Sequence, residues 1–341
     1  MRYIFALLMA FTLFSCSENK TTDTSSKDST NSVNNELVLP PLADNFYLKY
    51  KFNIGDKFSY KIKTISSSSQ ELQSDSTMKT NVNQTVEYKI NFLIDDVDAN
   101  KLAKINVLVE SILINGVING QHISYDSKYI QSSQEKMMFA QYEAIKNHRF
   151  SLDVTESGEI VKIYNTDIIV NELLAIQPQK VTKAQKKELQ NNFIESALRP
   201  LSEQIFRKFP TEKVSIKYNW TEKYYSQFAL FKIENVATFQ ILDFQKVEDD
   251  SVVTMSANLS INWVGEHDAS DQGMTFYFYD PKVSGSGKIN FNFSSGLIIN
   301  SQTRTDMEMV TDISGLNENK IPFKAKRIDN TSNTNIVTLI N

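Results

Sequence analysis

From Phe46 onward, apolar and polar residues alternate with period two, the pattern of strands that bury one face. Leu48, Tyr50 and Phe52 are separated by lysines, Asn53-Ile54-Gly55-Asp56 predicts a turn, and Phe58, Tyr60 and Ile62 resume the alternation, so the opening predicts a hairpin. Ser66 to Thr80 is polar and serine-rich and reads as a long exposed loop. Val86, Tyr88, Ile90, Phe92 and Ile94 form the next strand, answered across an acidic turn by Ala103, Ile105, Val107 and Val109. Phe150, Leu152 and Val154 pair across Gly158 with Ile160 and Tyr164.

The period then lengthens. Ser132-Ser133-Gln134-Glu135 has capping-box spacing and opens a helix to about Ala144. Asn165-Thr166-Asp167 caps a second over Ile168 to Ile176, with Gln177-Pro178 as its stop. A third begins at the capping box Thr182-Lys183-Ala184-Gln185. Leu189, Phe193, Ala197, Leu201 and Ile205 follow at spacings of four, giving one apolar face to about Phe209 with a kink near Pro200. Such a stripe packs on a core or roofs a cavity.

Alternation returns at Val214, Ile216, Tyr218 and Trp220 and continues through 226–244 and 251–264. Val86 to Asp95 aligns with Val236 to Asp243, each leading through an acidic turn into a long alternating strand; Phe150 to Gly158 aligns with Ile289 to Gly296. The expected fold class is therefore α+β, mostly antiparallel, an internally duplicated curved sheet (half-barrel or sandwich-like) packed on a central helical segment. The repeat halves cover about 46–165 and 213–310, the helices about 166–209, and 46–341 form one β-rich domain.

The amino end has another character. Met1-Arg2-Tyr3 precedes an apolar run, Ile4 to Phe14, too short to span a bilayer and followed by polar residues, so residues 1–15 are expected to be a signal peptide. Leu13-Phe14-Ser15-Cys16 resembles the bacterial lipobox, which implies cleavage before Cys16 and acylation there. Cys16 is the only cysteine of 341 residues, and lipidation accounts for a lone thiol on an exported chain. Residues 16–45 are expected to be a flexible tether, with a reach of about 30 Å as a random coil. Leu37 to Leu42 is a short proline-stiffened apolar piece that could pack on the domain edge. Ser17 beside the cysteine favours the outer membrane, periplasmic face first and cell surface second.

Lys and Arg number 36 against 40 Asp and Glu, so no general basic field exists to draw nucleic acid. Phe52-Asn53-Ile54-Gly55-Asp56-Lys57-Phe58-Ser59-Tyr60, with the Ser-Gly hairpins, resembles an uncharacterised group of Bacteroidota-type exported lipoproteins. More remotely the order of elements is similar to the lipoprotein-carrier and mycobacterial-type lipoprotein superfamily, which implies a curved sheet wrapped over helices and holding acyl chains.

Candidate chemistry is sparse. His122, His148 and His267 have no helical metal spacing. Glu266 to Gly273 gathers oxygen ligands without EF-hand order and is a solvated turn first, a Ca²⁺ site second. Ser157-Gly158 and Ser284-Gly285-Ser286-Gly287 are expected to be turns rather than nucleophile elbows. No cofactor, metal or catalytic residue is assigned. In Thr275-Phe276-Tyr277-Phe278-Tyr279 the tyrosines share one strand face and the phenylalanines the other; with both faces covered the stretch is core, the first expectation, and with the Tyr face open it stacks on a sugar ring or lines an apolar groove. The leading expectation is a non-enzymatic membrane-anchored lipoprotein binding a hydrophobic or lipid-like ligand, lined by Phe193, Leu201, Ile205, Val107, Val109, Leu259, Ile261 and Trp263. The alternative is a structural or protein-interaction module of the envelope, and the third a hydrolase or metal-dependent enzyme.

Overall fold

A computed structural model describes residues 45–176, 181–228, 231–247, 250–271, 273–316 and 321–340. Cys16, the signal peptide, the piece 37–42 and Pro178 lie outside the described residues, as does all of the tether but Asn45.

The chain is a wide antiparallel sheet that does not close into a barrel, with five short helices among the described residues. Its first half is β1 (Lys57–Gln73), β2 (Thr77–Val97), β3 (Ala103–Ile118), β4 (Gln121–Asp126), α1 (Ser133–Met138), α2 (Ala140–Ile145), β5 (Arg149–Val154) and β6 (Ile160–Tyr164). Then come α3 (Asp167–Ile176), α4 (Lys183–Phe193), a π-turn over Ile194–Leu198 and α5 (Arg199–Glu203). The second half is β7 (Asn219–Phe228), β8 (Phe231–Val247), β9 (Asp250–Val264), β10 (Asp268–Asp271), β11 (Met274–Phe278), β12 (Lys282–Asn292) and β13 (Leu297–Leu316), followed by β14 (Pro322–Ile340). Strand order is β6-β5-β3-β2-β1-β14-β13-β12-β9-β8-β7. Each half is thus a meander, and β14 lies between β1 and β13 as the seam that joins them.

The halves repeat in detail. Gly55 and Lys217 both take positive φ, 89° and 69°. Each donates its N–H at 2.8 Å to the carbonyl of Ile94 or Ile241, whose own N–H donates at 3.0 Å to Asp56 or Tyr218. Three residues after each positive-φ position, Phe58 stacks on Phe92 and Trp220 on Phe239, at 5.1 and 5.0 Å. Asp95 and Leu242 are then the extra residues of equivalent bulges, and Val161 and Ile299 of a second pair. Gly158 and Gly296, at φ 90° and 70°, turn the chain two residues before Ile160 and Ile298. A generic meander has no reason to repeat bulges, stacks and left-handed turns in the same order.

One core cluster joins both halves and the helices. Leu48, Tyr50 and Phe52 alternate in burial as expected, but they lie over the core as an irregular extended segment instead of pairing as a strand. Tyr50 ties the centre. Its hydroxyl donates to the Ile205 carbonyl at 3.0 Å and accepts from the Arg207 N–H at 2.8 Å, and its ring packs on Phe206, Phe209 and Phe291. Burial pushes that hydroxyl far above the ordinary tyrosine range. Tyr60, also buried, donates to the Ile298 carbonyl at 2.7 Å, from one half to the other.

Both capping boxes form, at Ser132/Glu135 and Thr182/Gln185. The kink near Pro200 is the π-turn, which widens the helix just before a residue with no N–H to give the preceding turn. The regular helix stops at Glu203, so Ile205, Phe206 and Phe209 continue the apolar face from irregular chain.

Three further expectations are corrected. Ser66 to Thr80 is the paired ends of β1 and β2, because β14 supplies a partner to β1 from Ser59 to its end at Gln73. Ser284-Gly285-Ser286-Gly287 is strand, not turn. A Cβ on Gly285 would stand 2.6 Å from the Leu259 Cβ, and one on Gly287 2.6 Å from Thr303 Cγ2. Cross-strand Cβ atoms normally sit about 4.5–5.5 Å apart, so the inner face is sharply curled here and only small residues fit. Val214 and Ile216 precede β7 rather than belong to it; Val214 bridges Phe46.

Candidate functional site

The residues expected to line an apolar groove are for the most part core. Val107 and Val109 of β3, Phe193 at the end of α4, Leu201 of α5, Ile205 just after it and Leu259 of β9 all belong to the main buried cluster. Ile261 and Trp263 continue β9 past it, both half-buried, and Trp263 packs with Phe276 and Phe278 in a separate small cluster. The first six are therefore brought together, by close packing with their neighbours; the last two are set apart from them.

A different, shallow and solvent-open concavity, of about 630 Å³, lies on the opposite, outer face of β12, β13, β14, β1 and β2. That volume is within the range of small-molecule sites, about 300–1,000 Å³. Its floor is set by register. Ser284, Asp306, Ser332, Ser67 and Asn83 stand side by side across the five strands, and Lys282, Glu308, Asn330, Ser69 and Asn81 form the next row. The inward positions between the two rows are Val283, Met307, Thr331, Ser68 and Val82, and those beyond the first row include the buried Ser66, Thr305 and Asn333. The groove is polar because its rows stand on the sheet face turned away from the core.

Its charges are paired in place. Arg304 grips Asp306 through two bonds of 2.8 Å and holds that carboxyl below the usual aspartate range; Lys282 meets Glu308 at 2.6 Å. Its neutral groups are unspent: among the described residues, the side chains of Ser67, Ser69, Asn83, Ser284 and Asn330 form no hydrogen bond. Hydroxyls and amides offer donors and acceptors together.

Beside it, β11 takes the place of β12 along β13. Tyr277 pairs with Asp312, on the same side of β13 as Asp306 and Glu308, so Tyr277 and Tyr279 share the groove's face. They are 45% and 42% exposed, while Phe278 on the other side is 7%. The tyrosine face is the open one. The two rings meet edge to face at 5.1 Å, and the Tyr279 hydroxyl donates to Asp312 at 2.8 Å, a bond that raises its pKa.

The histidines lie apart. His122 is on β4, His148 contacts the Ala144 carbonyl at 3.1 Å, and His267 stacks on Trp263 at 5.1 Å. Among the described residues no three His, Cys, Asp or Glu side chains converge as a metal site. Gln272, in the acidic turn, lies outside the described residues. Sequence reasoning missed the groove because its strands, rich in Ser, Asn and Thr, show no apolar alternation. The available signal was that 66–80 holds neither Gly nor Pro, which is unusual for a loop of that length.

Fold and groove define an open, duplicated antiparallel sheet with a polar outer cleft. The chain belongs to DUF6263, a family of unknown function whose model matches residues 100–298, from just before β3 to the start of β13. No curated protein matches it. Among solved structures, it is similar to one described as lipid–protein interactions in lipovitellin, at 10% identity and TM-score 0.40, over 85% of this chain and 26% of that one. It thus spans about a quarter of the lipovitellin chain. A COG4313 outer membrane channel from Pseudomonas putida F1 aligns at 7% identity and TM-score 0.20 over 86% of this chain and 98% of its own. OpdL of Pseudomonas aeruginosa aligns at 6% and 0.19 over 84% and 99%.

Proposed function

We propose that this protein is a membrane-anchored, non-enzymatic lipoprotein of the bacterial cell envelope, attached to the outer membrane through Cys16 and binding its ligand in the outer groove. The observation that carries this reading is the unspent hydrogen-bonding capacity of Ser67, Ser69, Asn83, Ser284 and Asn330 on a concave floor of about 630 Å³. Rigid neighbouring strands hold these groups in fixed register, so a ligand would meet a preorganised array. The lipobox resemblance supports the address, and the tether 16–45 joins anchor to domain.

A hydrophobic or lipid-like ligand inside the domain would have to displace packed side chains, among them Val109 and Ile205, both fully buried. The groove asks for no such rearrangement.

The test uses the full-length lipidated protein in nanodiscs, with Asn83→Trp or Ser284→Trp to fill the groove; both positions are exposed, so the fold is kept. Retention on isolated envelope fractions is expected to fall at least tenfold in either variant. Unchanged retention overturns the groove reading, and an acyl lipid that co-purifies with both variants in native mass spectrometry moves the site to the interior.

A further inference from the structure

We infer that the groove takes a neutral glycan chain, with a sugar ring stacked on Tyr277. This rests on the groove being the binding site and goes beyond it by fixing the ligand's chemistry.

Three observations converge. First, polyols are recognised by groups that both donate and accept, and the free floor groups are serine hydroxyls and asparagine amides. Second, the ionic groups lining the groove are paired in place, Lys282 with Glu308 and Asp306 with Arg304, and further along the face Lys79 meets Glu71 at 2.9 Å and Lys326 meets Asp312 at 3.9 Å. Paired ions leave little net field, so neither a polyanion nor a cationic peptide is selected. Third, the exposed tyrosines stand beyond one end of the same cleft. From Asp306 to Asp312 along β13 is about 20 Å at 3.3 Å per residue, the length of a short oligosaccharide. A sugar ring presents apolar C–H faces that lie flat on an aromatic ring while its hydroxyls point outward, and Tyr is rigid enough to hold such a face at small entropic cost. Phe276 and Phe278 anchor the strand from beneath against Met309, so the platform is fixed.

The probes are chitotetraose, cellotetraose, maltotetraose and, as an anionic contrast, heparin tetrasaccharide, titrated calorimetrically into the full chain in nanodiscs. At least one neutral tetrasaccharide is expected to bind, with affinity unchanged between 50 and 500 mM salt because the charges are already paired. Tyr277→Ala should weaken it at least tenfold and Tyr277→Phe less than threefold, since stacking needs the ring and not the hydroxyl; Ser284→Trp should abolish it. An unchanged melting temperature in Tyr277→Ala keeps the loss specific. Neutral binding that survives Tyr277→Ala overturns the stacking assignment, and binding of heparin tetrasaccharide alone overturns neutrality. If no probe binds while Ser284→Trp still releases the protein from envelope fractions, the glycan falls and the groove stands; if neither responds, both fall.

Discussion

The two halves are built on one plan and diverge at one point. Both run a left-handed turn, an aromatic stack, a bulged hairpin and a glycine turn in the same order. They part after the third strand. The first half inserts β4, α1 and α2, whose Tyr125 and Glu143 are buried and joined at 2.6 Å. The second inserts β10 and β11, which turn Tyr277 and Tyr279 outward beside the groove. The first insertion adds core and the second adds surface, and recognition is placed on the half whose insertion faces solvent.

The comparison breaks hardest at the glycine turns. A Cβ on Gly158 would stand 2.2 Å from the Arg207 carbonyl and 2.5 Å from the Tyr50 ring, and one on Gly296 2.3 Å from the Lys51 nitrogen. Left-handed strain and overpacking add, so Gly158→Ala and Gly296→Ala should each cost about 4 kcal/mol, read as a shift in the urea midpoint. A loss in one and none in the other would deny the equivalence. Tyr50→Phe is next, at about 2 kcal/mol, because it leaves the Arg207 N–H and the Ile205 carbonyl buried without their partner. Gly55 meets nothing within 4 Å, and its counterpart Lys217 already carries a side chain at positive φ. Gly55→Asn should therefore cost only about 1 kcal/mol.

The smallest effect concerns acid. Lys61, then Lys63, hold Glu87 below the usual glutamate range, so its contribution is present above about pH 4.3 and is lost as pH falls through the lowered value. Burial raises Glu222 in the second half against the pull of Lys208, so its contribution is present in acid and lost as pH rises. Glu87→Gln should remove about 0.5 kcal/mol at pH 7. Glu222→Gln should stabilise slightly there, and thermal melts from pH 3 to 7 would show the opposite slopes.

Where one strand face is buried, the sequence announces it: Phe58 to Ile62, Val86 to Ile94 and Val253 to Leu259 alternate because the core demands it. The capping boxes were equally legible, being local hydrogen-bond chemistry. β14 was not, since Asp329 to Asn335 carries no apolar residue and its strand state comes from β1 and β13 on either side. The groove stayed hidden for the same reason. The tyrosine face could be read from period two, but its exposure depended on which side of β13 it joined. The apolar stripe of 189–209 could be read from its spacing, but whether it packs on a core or roofs a cavity depended on the neighbours it meets, and Phe193, Leu201 and Ile205 pack into the core.

Hydroxyl-radical footprinting of the full chain, with and without detergent-solubilised envelope extract, tests the outer groove most directly. Tyr277 and Tyr279 are expected to be protected, with Phe193 and Trp220 unchanged. Protection at Phe193 and Trp220 with none at Tyr277 or Tyr279 would contradict it and place the ligand in the core.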